Sequence, residues 1–138
     1  MAFTYSRKIN YYETDMMGVV HHSNYIRFLE EARCAWVEAI GIPMRLIEER
    51  GYTIPVLEVN CKYKRPVTEG DMLAIGVKLI EYNGIRMTVL YDVRNIKTGE
   101  VVIEATTKHC FTNMDLKPVN MKKCDEEINT KFESIKEE

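Results

Sequence analysis

Residues Tyr12 to Tyr25 read YETDMMGVVHHSNY. One acid, Asp15, is followed by Gly18, by the adjacent His21 and His22, and then by a helical pattern. The first turn of a helix leaves backbone N–H groups without internal partners and gathers a partial positive charge. Such a point polarises a carbonyl oxygen aimed at it. A carboxylate held beside it attacks the carbonyl carbon or takes a proton from a water that does. Asp15 and the helix start therefore supply both requirements of acyl transfer, a base or nucleophile and an oxyanion site. Gly18 lets the intervening chain turn tightly, or lets a ligand approach the backbone.

Asn24 and Tyr25 fall in the first helical turn, where Asn24 is suited to orient a ligand or serve the helix end and Tyr25 to pack. His22 reads either as a helix-start residue with local hydrogen bonds or as an acid or positioning group, and His21 as its solvent-facing neighbour. Adjacent histidines point in different directions and no third-ligand spacing is evident, so no metal is expected. His109 falls in a strand and reads as structural. The densest basic cluster is CKYKR, Cys61 to Arg65. Lys62, Lys64 and Arg65, with Arg86, are candidates for a phosphate-rich ligand, against the commoner reading of a solvated strand end. No GxSxG elbow, Walker A loop or GxGxxG turn is present.

The elements that must carry these residues are legible from periodicity. Phe3, Tyr5, Arg7, Ile9 and Tyr11 alternate with a mostly polar set, the period of a half-buried strand. Glu13 to His22 has no steady period and reads as a loop. From Ser23, the residues Tyr25, Phe28, Leu29, Ala32, Ala35, Trp36, Ala39 and Ile40 recur at helical steps, with Gly41 and Pro43 as a stop. Pro43 to Arg50 reads as a short helical turn. Tyr52 to Tyr63 reads as a strand that Pro55 marks as edge or bulge. Met72 to Glu81 and Ile85 to Asn95 are strands joined by the hairpin signal Asn83-Gly84. Val101 to Met114 reads as one long final strand, and a short amphipathic tail helix presents Ile128, Phe132 and Ile135. A strand, a long helix, then a four-stranded antiparallel meander is an α+β order, one sheet packed on one helix. Open sheet edges predict a second copy of the chain as partner.

Bulk properties narrow the class. The 138 residues suit one domain, residues 1–138, with a hydrophobic share of 46% and a charged share of 29%. A net charge of −2, from 19 basic and 21 acidic residues, gives no nucleic-acid footprint. Cys34, Cys61, Cys110 and Cys124 form no CxxC pair and read as free thiols of a reducing compartment. The start, MAFTYSRKIN, has no apolar core of a secretory signal, and no apolar run reaches a membrane span of ~18 residues. A cytoplasmic protein is expected.

The run Tyr12, Thr14, Asp15, Gly18, Val19, Val20, His22 and Tyr25 resembles the signature of hotdog-fold acyl-CoA thioesterases, nearest to the 4-hydroxybenzoyl-CoA thioesterase type and its Tol-Pal-associated relatives. Tyr63, Pro66, Gly70 and Asp71, then Ala105, Thr107, Phe111 and Lys117-Pro118, extend the resemblance over nearly the whole chain. It implies a five-stranded antiparallel sheet wrapped around the central helix and a homodimer with a continuous sheet, often paired again into a tetramer. It also implies active sites at the dimer interface, acyl-CoA or an acyl carrier protein as substrate, and no cofactor. Asp15 falls on the catalytic carboxylate and the amide near His22 on the oxyanion donor, with Gly18, Val19, Asn24 and Tyr25 around them. Glu13, His21, Met16 and Met17 depart from the usual residues, and the two methionines suit an apolar wall against an acyl chain or a packing gap. Two rivals share the fold: a non-catalytic acyl-binding protein, and a dehydratase of 3-hydroxyacyl thioesters using Glu13, Asp15 and His22.

Overall fold

The computed structural model describes residues 3–137. Strand β1 (Phe3–Lys8) leads through one 3-10 turn (Tyr11–Glu13) to the long helix α1 (His22–Ala39) and the short α2 (Met44–Glu49). Strands β2 (Tyr52–Thr53), β3 (Val56–Tyr63), β4 (Met72–Tyr82), β5 (Arg86–Asn95), β6 (Val101–Cys110) and β7 (Thr112–Asn113) follow, then helices α3 (Met121–Cys124) and α4 (Glu126–Ile135). The five-stranded antiparallel sheet has the order β1-β4-β5-β6-β3, and β2 pairs with β7 separately.

Alternation along each strand explains why the sheet has an inside. Register sets Val77, Tyr91, Ala105 and Cys61 in one row, with Leu79, Val89, Thr107 and Val59 in the next. Residues directly opposite share a face, so these rows form the inner surface. Tyr25, Phe28, Leu29, Ala32, Trp36 and Val37 of α1 are buried against it. Met121, Ile128 and Phe132 close one end, with Tyr82 stacked on Phe132 at 5.6 Å between ring centres.

Four expectations change. The strand at 52–63 breaks at Ile54-Pro55, which sends Tyr52–Thr53 to β7. The strand at 101–114 breaks at Phe111, where the β5 ladder ends with Phe111 N–H on the Ile85 carbonyl at 2.8 Å and the chain passes on to pair with β2 as β7. The meander is limited to β4, β5 and β6, because β3 crosses to the far edge beside β6. The tail is two helices, with Asp125 ending α3 and capping Ile128 N–H of α4 at 3.1 Å.

The Asn83-Gly84 turn is doubly constrained. Asn83 Oδ1 accepts from the N–H groups of Ile85 and Arg86, and Gly84 takes φ +95. A side chain at Gly84 would collide with Asn120 Oδ1, so the hairpin also seats the α3 cap.

Candidate active site

The loop before α1 is anchored by a buried ion pair. Glu13 Oε1 and Oε2 lie 2.9 and 2.8 Å from Arg7 Nη1 and Nη2, with side chains 7% and 10% exposed. Glu13 Oε1 also accepts Asn10 N–H at 2.8 Å, which closes the turn between them. Arg7 Nε reaches Glu31 Oε1 of α1 at 3.1 Å, and the guanidinium carbon lies 4.0 Å from the Phe28 ring centre. Tyr5 donates to Glu31 at 3.1 Å. Matched charges and hydrogen bonds of this quality are what a buried pair needs to persist. Glu13 is thereby committed to Arg7, which removes it from the acid-base role of the dehydratase reading.

The Glu13 backbone ties this anchor to the helix. Its carbonyl accepts His21 N–H at 3.0 Å and Asn24 Nδ2 at 2.9 Å. Asn24 thus holds the loop with its amide donor.

Asp15 follows at the tip of a small ladder. Thr14 bridges Val20, Val19 bridges Thr68, and Asp15 N–H donates to the Val19 carbonyl at 2.8 Å. Val19 acts here through its backbone. Gly18 N–H closes the turn on the Asp15 carbonyl at 3.0 Å with φ +78, and no atom lies within 4 Å of where a Cβ would stand. The left-handed turn, and no close approach, therefore requires glycine. Asp15 Oδ1 accepts Met17 N–H at 2.8 Å, while Oδ2 takes no hydrogen bond from the described residues. Met16 and Met17 are exposed and fill no packing gap within the protomer.

The helix starts one residue earlier than expected, at His22, because His21 caps it. His21 Nδ1 accepts Ser23 N–H at 3.2 Å and lies 2.8 Å from Ser23 Oγ. Asn24 N–H donates to the His21 carbonyl at 2.9 Å. The amides of His21, Ser23 and Asn24 are thus taken, whereas nothing among the described residues accepts from His22 N–H.

A cavity of about 250 Å³ opens at the start of α1, lined by Val20, His22, Tyr25, Tyr63, Lys64, Arg65 and Pro66. The exposed His22 ring stacks on His21 at 4.4 Å and meets Tyr63 edge-on at 6.3 Å. Tyr25 is buried and its ring centre lies 5.6 Å from that of Tyr63. Burial first, then the neighbouring Cys61 and Tyr63, push the Tyr25 hydroxyl up to about 12, so it stays protonated. Of the basic candidates, Lys64 and Arg65 line the cavity. Lys62 stands opposite Glu104 on the outer face, and Arg86 lines a separate depression with Glu58 and Lys108. Lys62 and Arg86 are therefore not part of this site. Among the described residues no three His, Cys, Asp or Glu side chains gather as they would around a metal ion.

Sequence reasoning missed Arg7 as a functional partner. Its signal was present: Arg7 is the charged member of the otherwise apolar or aromatic set of β1.

A five-stranded antiparallel sheet wrapped on one long helix is the hotdog fold. Residues 9–132 match the family described as the thioesterase-like superfamily, and the chain belongs to it. It is 32% identical over 130 residues to a Bacillus subtilis protein provisionally named acyl-CoA thioesterase YneP, covering 94% of each chain. It is 26% identical over 137 residues to the acyl-CoA thioesterase YbgC of Haemophilus influenzae, covering 98% of this chain and 97% of that one. The structure of a DHNA-CoA thioesterase from Staphylococcus aureus superposes with a TM-score of 0.92 at 24% identity, covering 97% and 90% of the two chains, a likeness of fold.

Proposed function

We propose that the protein hydrolyses the thioester of an acyl-CoA to the free acid and coenzyme A. The observation that carries this is the unpaired His22 N–H at the head of α1, with Asp15 on a loop stitched to that same helix start through the Glu13 carbonyl. The thioester oxygen sits on His22 N–H. Asp15 takes a proton from the attacking water, or attacks the carbonyl carbon itself and is released by water. In either route the C–S bond breaks, and the coenzyme A thiolate leaves and takes up a proton. Lys64 and Arg65 at the cavity suit the phosphates of coenzyme A. The names of the relatives support the same activity.

The working unit in this reading is a homodimer. Among the described residues β3 pairs with β6 alone, and Val56, Val59 and Tyr63 are 46%, 38% and 50% exposed on its inner face. A second copy of β3 would satisfy the open backbone edge and extend the sheet. Two such dimers would make the tetramer that the family resemblance implies.

Thiol release from a panel of acyl-CoAs tests the activity. Asp15→Asn is expected to lower turnover roughly a hundred- to ten-thousand-fold with an unchanged circular dichroism melt. Full activity in that variant, or no hydrolysis of any acyl-CoA by the folded wild type, overturns the proposal.

A further inference from the structure

A line of polar groups on the inner face is unused by the chemistry above. Arg33 Nη1 of α1 donates to the Tyr91 hydroxyl at 3.0 Å, Tyr91 lies 2.7 Å from Thr107 Oγ1, and Thr107 Oγ1 lies 2.7 Å from His109 Nε2. Proton order follows from the ends. A guanidinium only donates, and His109 Nδ1 faces the carbonyls of Ile54 and Pro55 without a hydrogen bond of good geometry to either. A proton on Nδ1 suits those carbonyls, so Nε2 accepts from Thr107, and Thr107 accepts from Tyr91. The inner links of the line are satisfied, and its charged end is the head. Arg33 uses one of its five N–H donors, and no carboxylate among the described residues pairs with it. A part-buried cation without a counter-charge is costly and marks a place where an anion is expected.

An apolar track leads there from the cavity. Tyr63, beside His22, is followed inward along β3 by Cys61 and then Val59, which stands opposite Thr107. Four residues of strand span about 13 Å. Val59 and Tyr63 remain exposed, so α1 does not cover this strip.

Building on the thioesterase reading, we propose that the acyl group runs along Tyr63, Cys61 and Val59 and ends in a carboxylate held by Arg33. The substrate class is a medium-length ω-carboxyacyl thioester. Tyr91 and Thr107 position the guanidinium, which offers a planar fork to a carboxylate.

Decanedioyl-CoA and decanoyl-CoA, equal in length and different only at the far end, make the test. The wild type is expected to show the higher kcat/KM on decanedioyl-CoA. Arg33→Met lowers that value roughly 10- to 100-fold, mainly through KM, and changes decanoyl-CoA by less than about threefold. Arg33→Lys falls between them, as a point charge without the fork. A wild type that prefers decanoyl-CoA overturns the inference and needs no variant. Equal losses on both substrates in Arg33→Met also overturn it, since they mark a purely structural arginine. Either result leaves thioester hydrolysis standing, whereas failure of both substrates and of the wider acyl-CoA panel sinks the two readings together.

Discussion

Two polar systems lie on the inner face of the sheet, one at the β1 edge and one on the central β5 and its neighbour β6, and α1 contributes to both. Near β1, Arg7 bridges the carboxylates of Glu13 and Glu31, and Tyr5 donates to Glu31, so each charge has an opposite neighbour. Toward β3, Arg33 heads a neutral line through Tyr91 and Thr107 to His109 and has no charged partner among the described residues. The neighbouring edges differ in the same sense. The inner residues Phe3, Tyr5 and Arg7 of β1 are part-buried, whereas those of β3 are largely exposed. Low dielectric makes an unmatched charge costly, so complete pairing marks the side the chain closes for itself. Incomplete pairing marks the side left for a ligand or another copy.

The largest expected effect comes from breaking the closed side. Arg7→Met leaves the Glu13 carboxylate buried without its partner, and such losses cost about 3–5 kcal/mol. Urea unfolding followed by circular dichroism measures it. The double variant Arg7→Met, Glu13→Gln removes the stranded charge and is expected to regain much of that stability. A single variant as stable as wild type would show the pair to be dispensable and dissolve the contrast between the edges.

The elements of the closed side were largely readable in the sequence, and its chemistry was not. The helical period of α1, the Asn83-Gly84 hairpin and the loop carrying Asp15 all follow from local residue types. The Arg7–Glu13–Glu31 cluster joins residues that only the fold brings together, and Glu13 alone read as a candidate acid of the dehydratase alternative. The placement of β3 beside β6 was hidden for the same reason, because strand order depends on pairing across long loops. His21 concealed its role as helix cap because imidazole is an uncommon acceptor at that position.

On the open side, the next effect depends on pH. Burial first, then the charge of Arg33, lower His109 from the ordinary 6.5 to about 4, while the carbonyls of Ile54 and Pro55 act the other way. The folded value lies below the unfolded one, so the unfolded state binds the proton first as pH falls. The stabilisation is present above 6.5 and is lost progressively down to about 4. Between pH 7 and pH 5 this amounts to about 2 kcal/mol. Urea titrations at the two values should show it, and His109→Gln should flatten that part of the dependence. An unchanged slope in the variant would place the acid sensitivity elsewhere.

The finest test removes one hydroxyl from each side. Tyr5→Phe deletes a donor to Glu31, which keeps Arg7 and has a side chain 39% exposed, so water replaces the lost bond. The expected cost is about 0.5–1 kcal/mol. Tyr91→Phe deletes the middle of the line, where Tyr91 and Thr107 are 1% and 2% exposed. Thr107 loses its donor where water does not reach easily, and Arg33 loses its hydrogen-bond partner among the described residues. A buried group left unsatisfied costs about 1–3 kcal/mol, so Tyr91→Phe should destabilise more than Tyr5→Phe by about 1 kcal/mol. Paired thermal melts decide the sign. The opposite order would mean that the line tolerates a gap, and that Arg33 is held in place by something other than the Tyr91 hydroxyl.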